Sequence, residues 1–151
     1  MKITVLLRNE HEALKALFNQ FRKPGARKPD GSRDLFNEIR REILIHSQME
    51  SEIFYPALAS TASPQARECV SKAEKEHRGI EKLLHELNLM NGSEKHFDSK
   101  MNLLMEEVDR HVEMEERDIF EEARKNLPEF RLEELGLEMA DRRKILTSLA
   151  A

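Results

Sequence analysis

A histidine–glutamate pattern that occurs twice in this chain constrains the fold more than any other feature. Each half contains a Glu-His pair followed by a His-x-x-x-Glu segment, and the second half repeats the order of the first. The four histidines and two carboxylates are His11, His46, Glu50, His77, His111 and Glu115. Equivalent residues are 65 or 66 positions apart. Imidazole and carboxylate are ligands for divalent iron, manganese or zinc, so the duplication predicts a metal site near a pseudo-two-fold axis between two similar halves.

Long stretches with the helical period separate the few glycines and prolines of the chain. Breakers fall between residues 24 and 31, from Pro56 to Pro64, at Asn91-Gly92-Ser93 and at Pro128. Ser63-Pro64 is typical of a helix start, and a helix should stop at Tyr55, before Pro56. The predicted helices cover residues 3–22, 33–55, 64–90 and 95–125, with a shorter fifth helix over 131–148. We expect the apolar residues of this fifth helix to cap the bundle, namely Leu132, Leu135, Leu137, Met139, Ile145 and Leu149. The expected fold is all-α: one domain, residues 1–151, forming an antiparallel up-down four-helix bundle.

The histidines lie within the apolar faces of these predicted helices. On the second helix, Ile39 and Ile43 share one face with His46 and Glu50, because residues four apart are offset by only about 40°. The other three helices likewise place one histidine each among apolar residues. A carboxylate buried alone costs several kcal/mol or becomes protonated. A single such histidine would be an ordinary packed core residue, but the repetition favours a cation between the two glutamates.

Charge and cysteine content exclude several other classes of protein. The net charge of -4 and pI near 5.9 give no electrostatic basis for binding nucleic acid or an anionic membrane. No segment approaches the roughly 20 apolar residues of a membrane helix, and the apolar run that begins at Ile3 is too short for a signal peptide. Cys69 is the only cysteine, which excludes an intramolecular disulfide and a thiolate cluster. We therefore expect a cytoplasmic protein.

The order His, His-x-x-x-Glu, His, His-x-x-x-Glu on four helices resembles the hemerythrin-like family, also called the HHE cation-binding domain family. The resemblance covers essentially the whole chain and includes Phe54-Tyr55-Pro56 and the segment from Leu132 to Gly136. It implies a hemerythrin-type bundle that holds a non-heme di-iron site, with two irons per chain joined by an oxo or hydroxo bridge. Glu50 and Glu115 would bridge the irons, and the four histidines would complete the ligand set. Iron rests on the resemblance, since His and Glu ligation also admits manganese or zinc.

The chain departs from the oxygen-carrying hemerythrins at one position. Those proteins have a fifth histidine one turn after the third-helix histidine, and here that position is Glu81. Either Glu81 is an additional ligand or the set is four histidines and two glutamates. Both sets leave more open coordination positions, which favours reactivity.

Three neighbouring glutamates have alternative roles in this interpretation. Glu42 and Glu107 precede His46 and His111 by four residues, where they would accept hydrogen bonds from the imidazoles or lie in solvent. Glu116 is a rival to Glu115 for the bridging position, because a one-residue helical bulge would exchange them.

Two classes of function fit this site. The first is a protein that binds or senses oxygen or another small diatomic. The second is a di-iron oxidoreductase acting on peroxide, oxygen or nitric oxide, including a role like that of the iron–sulfur repair proteins. The sequence does not decide whether the site is catalytic or which electron donor would serve it. A ferritin-like oxidase would need paired Glu-x-x-His motifs, and only Glu74-x-x-His77 has that spacing.

Overall fold

A computed structural model describes residues 1–23, 31–92 and 95–150. The predicted connection over residues 24–30, and Ser93 of the third connection, lie outside the described residues. The elements are α1 (Ile3–Arg22), α2 (residues 31–59), α3 (Pro64–Asn88), α4 (residues 95–126) and α5 (Glu129–Ala150).

The helices form the predicted all-α bundle. α1 packs beside α2 and α3 packs beside α4, while α5 lies across α1 and α2. Within the described ranges there is no strand, and no helix there has the length and apolarity needed to cross a membrane. The first four helices therefore bring the two halves of the repeated pattern together.

The start of α3 follows the predicted capping arrangement. The Ser63 hydroxyl accepts a hydrogen bond from the backbone N–H of Ala66 at 3.1 Å, and Pro64 occupies the first turn. An N-terminal amide that lacks an intrahelical partner is thereby satisfied. α1 has the predicted bounds.

α2 does not stop before Pro56, and that prediction was wrong. The helix is α-helical over Gly31–Met49, turns as a π-helix over Glu50–Phe54 and returns to α-helix over Tyr55–Ala59. Pro56 is tolerated because it stands in the first turn after the π-helical turn, where the regular i→i−4 ladder is already interrupted. α4 contains the equivalent π-helical turn over Glu115–Ile119.

The fifth helix is longer than predicted, at 22 residues. It covers one side of the bundle with Leu132, Leu135 and Met139, which are buried as expected. The expected contributions of Leu137, Ile145 and Leu149 were wrong, since these side chains are exposed. Leu146 is buried instead. It lies seven residues, or about two helical turns, after the buried Met139 and therefore on the same face of α5.

Two apolar clusters fill the bundle, one on each side of a polar layer. On α1, Leu7 belongs to the first cluster and Leu14 to the second, with His11 between them. On α3, Ala73 and Ile80 flank His77 in the same way. The polar residues of the repeated pattern are therefore held at one level by packed side chains above and below.

Replacing Gly136 with alanine should destabilise the fold. A Cβ at this position would lie 2.0 Å from the carbonyl oxygen of Met1, so α5 would have to move away from the N-terminus. We expect Gly136→Ala to lower the free energy of unfolding by about 1–3 kcal/mol, measured by chemical denaturation. Gly79→Ala is the matched control, because its Cβ would meet nothing within 4 Å and should stabilise α3 by about 0.5–1 kcal/mol. Equal effects of the two variants would contradict the close approach of α5.

Candidate metal centre

The structure brings the six predicted ligand residues together in the polar layer. α1, α2, α3 and α4 each contribute one histidine, and all four histidines are at most 5% exposed. Glu50 and Glu115 are fully buried, at 0% exposed. Each glutamate is the first residue of a π-helical turn.

The imidazole Nε2 atoms and the carboxylate oxygens at the centre of this cluster lie close enough together to bind a shared metal ion. The Nε2 atoms of His11 and His46 are 3.2 Å apart, and those of His77 and His111 are 3.1 Å apart. Glu50 lies 3.3 Å from His46 through Oε2 and 3.0 Å from His77 through Oε1.

Glu115 is placed in a similar way. Its Oε1 lies 3.1 Å from His11 Nε2 and its Oε2 lies 3.6 Å from His111 Nε2. Each carboxylate therefore has one oxygen near a histidine of each half of the repeat.

The outer nitrogens of three histidines donate to carboxylates of neighbouring helices. His46 Nδ1 donates to Glu10 at 2.8 Å, and His111 Nδ1 donates to Glu76 at 2.9 Å. His11 Nδ1 donates to Glu116 at 2.7 Å. Because an ionised carboxylate can only accept, these bonds place a proton on Nδ1, so that Nε2 is the nitrogen that can bind a cation once it is deprotonated.

Of the two roles left open for Glu42 and Glu107, the role of imidazole acceptor is not the one that the described residues adopt. Glu42 bonds Arg143 and Glu107 bonds Arg110. The acceptors come instead from other helices, with Glu10 on α1, Glu76 on α3 and Glu116 on α4. Glu116, which the sequence offered as a rival to Glu115, lies partly exposed as an acceptor for His11, while Glu115 is in the core.

Potential metal-ligand atoms, imidazole nitrogens and carboxylate oxygens, converge at the centre of this layer. The Nε2 atoms of three histidines face the carboxylates, and Glu50 Oε1, Glu50 Oε2 and Glu115 Oε1 have no hydrogen-bond partner among the residues described. Two buried carboxylates in such proximity are unfavourable unless protons on the imidazoles or a cation balance their charge. The donor set of imidazole and carboxylate suits iron, manganese or zinc, so the residues fit a metal site.

The pKa values of residues in the cluster are shifted by burial and by the neighbouring charges. Burial lowers the pKa of His46, but the charge of Glu50 and the hydrogen bond to Glu10 outweigh burial and raise that pKa to about 10. The pKa of His111 is also raised, since its carboxylate partners outweigh its burial. Burial raises the pKa of Glu50, but the charge of His46 and the hydrogen bonds with Glu115, His111 and His46 together outweigh burial and hold that pKa well below its usual value.

Tyr55 adds a hydroxyl group to the core. It donates a hydrogen bond to Glu115 and lies 3.4 Å from His77 Nε2. The π-helical turn places Tyr55 five residues after Glu50, where its backbone N–H bonds the Glu50 carbonyl. Its counterpart 65 residues later is Phe120, which stacks on His11 with ring centroids 6.1 Å apart. From the sequence, Tyr55 could be either a hydroxyl of the core site or a residue that packs at a helix end, and the structure favours the first role.

The remaining titratable candidates lie outside the cluster. Glu81, the predicted additional ligand, is exposed and is not among the residues whose ligand atoms converge. His85 and His96 are exposed too. An open groove of about 660 Å³ between α1 and α4 is lined in part by His11 and Glu116, so it connects solvent with the edge of the polar layer.

Comparison with known proteins agrees with this geometry. The family model of the hemerythrin HHE cation-binding domain matches residues 2–123. This range contains all six residues of the repeated pattern and ends within α4.

Similar proteins occur in mycobacteria and cyanobacteria. Rv2633c of Mycobacterium tuberculosis is 29% identical over 141 residues, which are 91% of this chain and 82% of that protein. A DNA nickase of a Nostoc species is 23% identical over 138 residues, which are 91% of this chain and 38% of the nickase. A crystal structure of the Rv2633c homologue from Mycobacterium kansasii, an HHE cation-binding domain protein, has a TM-score of 0.83 and 26% identity. It covers 97% of this chain and 87% of its own, so the likeness extends into α5.

Metal uptake should release protons near neutral pH. Since His46 keeps a proton up to a pKa of about 10 in the metal-free fold, a bound cation must displace it. We expect proton release in calorimetric titrations across buffers of different ionisation enthalpy, and less release from His46→Gln. Uptake without proton release would contradict the protonated cluster.

The metal-free protein should also lose stability as the pH rises. The folded pKa of His46 lies above its unfolded value of 6.5, so its contribution is fully present below pH 6.5 and disappears as the pH rises through about 10. Denaturation of the metal-free protein between pH 6.5 and 10 measures this loss, which the metal-loaded protein should show to a smaller degree.

Proposed function

The chain belongs to the hemerythrin HHE cation-binding family, and on that premise we propose that it holds two iron ions in the bundle core. A small diatomic molecule or peroxide would bind to them there. The polar layer lies between two apolar clusters, so a small uncharged ligand would be accepted and bulk water limited.

The position of the two carboxylates carries this proposal. Ligand atoms of His11, His46, Glu50 and Glu115 lie within 4.8 Å of one another, and so do those of Glu50, His77 and His111. The two groups share Glu50, and Glu115 extends its second oxygen toward His111. Two ions held by residues of both groups would account for the position of Glu50 and Glu115, each of which faces both halves.

This ligand set differs from that of a structural metal site, in which the protein fills every coordination position. Six protein ligands shared by two ions leave coordination positions for an external molecule, and iron at such positions supplies reversible one-electron chemistry. The three outer carboxylates hold the imidazoles in one tautomer and orientation, with Nε2 toward the metal positions.

A second candidate function is oxidoreduction at the same site, and Tyr55 is the observation that favours it. Reduction of oxygen or peroxide consumes protons, and the Tyr55 hydroxyl is a buried donor that bonds Glu115. The groove beside His11 and Glu116 gives small molecules an approach from solvent.

Variants of the proposed ligands should lose metal. We expect His46→Ala and Glu50→Gln to bind fewer than two irons per chain, because one removes a nitrogen ligand and the other a bridging charge. Metal content after anaerobic loading and desalting measures this loss. His85→Ala is the matched control, since His85 is exposed, and it should retain the full content. Two irons in either ligand variant would contradict the assignment.

Admission of air to the iron-loaded protein should separate the two functions. We expect an optical change that reverses under nitrogen if the protein binds oxygen, and an irreversible change with turnover of added peroxide if it is an oxidoreductase. Tyr55→Phe should slow that turnover at unchanged iron content if the hydroxyl supplies a proton. Stoichiometric zinc or manganese with no iron uptake would contradict both functions.

A further inference from the structure

The outer hydrogen bonds of the four histidines follow the duplication for one pair only. Glu10 and Glu76 are 66 positions apart in the sequence. Glu10 accepts from His46 and Glu76 accepts from His111, at 2.8 and 2.9 Å. In this respect the two halves are alike.

The other pair of histidines breaks the symmetry. His11 Nδ1 donates to Glu116, but the residue 65 positions before Glu116 is Ser51. The Ser51 hydroxyl donates to Glu74 at 3.2 Å. His77 Nδ1 is buried and has no hydrogen-bond partner in the described part of the chain.

Arginines contact the two carboxylates that accept hydrogen bonds from His11 and His46. Arg8 donates to Glu116 at 3.3 Å, which fixes the acceptor of His11. Arg143 of α5 lies 3.5 Å from Glu10, the acceptor of His46, and bonds Glu42 at 2.6 Å.

The opposite half has weaker support. Among the residues that the structure describes, Glu76 forms an ion pair with His111 alone. The hydrogen bond from His111 is the main cause of the lowered pKa of Glu76, and Lys72 lowers it further through its charge without forming an ion pair. The carboxylate that orients His111 is therefore not anchored by a cation in the way that Glu10 and Glu116 are.

We propose that the two metal positions are unequal, so that the position of His11 and His46 fills first and the position of His77 and His111 fills second and exchanges its metal. A carboxylate that accepts from the outer nitrogen fixes the ring and raises its basicity, and its loss costs about 10–100-fold in metal affinity. The first position has two such acceptors and the second has one. The fraction of chains with a complete metal pair would then follow the free iron concentration.

This inference rests on the proposed function, since it concerns the same two positions. Stepwise binding alone would not support it, because two cations that share carboxylates repel each other in a symmetric site as well. The effects of matched variants on the separate binding constants are the decisive measurement.

Glu10→Gln and Glu76→Gln form the matched pair, because each removes one equivalent acceptor and preserves volume. The two constants are measured by anaerobic titration of the full chain with ferrous iron against a chromophoric chelator. We expect Glu76→Gln to leave the first constant unchanged and to lower the second by about 10–100-fold. Glu10→Gln should lower the first constant. Equal patterns in the two variants would overturn the proposal.

Ser51→Glu supplies the missing acceptor and tests the proposal in the opposite direction. It should raise the second constant toward the first, whereas Ser51→Gln, of the same size, should do so much less. Equal constants for both substitutions would contradict the role of the acceptor charge.

A further pair of variants does not depend on inserting a larger side chain at residue 51. Arg143→Met should lower the first constant and leave the second almost unchanged. Arg142→Met should change neither, because Arg142 pairs with Glu52 instead. Equal effects of the two arginine variants would count against the proposal.

A wild-type chain that never binds two metals would overturn the proposed function, whereas two metals with equivalent variant effects would overturn only the inequality.

Discussion

The contact between two buried carboxylates and four imidazoles is the interaction on which this structure depends. Glu50 and Glu115 lie at 0% exposure between apolar clusters, where isolated negative charge is strongly unfavourable. Protons on the histidines balance that charge in the metal-free fold, which is why the pKa of His46 rises to about 10. A cation that displaces these protons balances the charge directly, because the ligand atoms already converge. Folding and metal binding are therefore two uses of the same charges.

The π-helical turns give this contact its shape. A regular helix would offer each glutamate one histidine of its own helix, four residues earlier. The wider turn that begins at Glu50 or Glu115 changes the phase of the residues that follow, so that Tyr55 and Phe120 also face the core. π-helical turns are uncommon and concentrate at functional sites. Their presence at both glutamates is consistent with a local distortion maintained for the site.

Much of the fold and the inner cluster could be predicted from the sequence, because both depend on helical periodicity. His46 and Glu50 share a face with Ile39 and Ile43, and that pattern identifies core-facing polar residues without coordinates. The outer acceptors could not be predicted in this way. Spacing on one helix suggested Glu42, whereas the acceptor of His46 is Glu10 on the neighbouring helix, a contact that depends on how two helices are rotated against each other.

The continuation of α2 beyond Pro56 escaped prediction for a related reason. A proline is read as a helix end because it lacks an N–H donor and clashes with the preceding turn. That rule assumes a regular ladder, and the π-helical turn before Pro56 removes the assumption. Packing at the polar layer thus overrides the helix-ending tendency of Pro56, and no residue pattern in the sequence predicts the position of the π-helical turn.

The fifth helix turns a nearly symmetric bundle into an asymmetric one. α5 packs mainly on α1 and α2, and Gly136 permits its close approach to the N-terminus. From that side it places Arg143 beside Glu10, one contact away from His46. The family match ends at residue 123, before α5 begins, so a residue beyond the matched range contacts the carboxylate that accepts from His46. A helix that covers the core of one half thereby also sets the charge environment of that half.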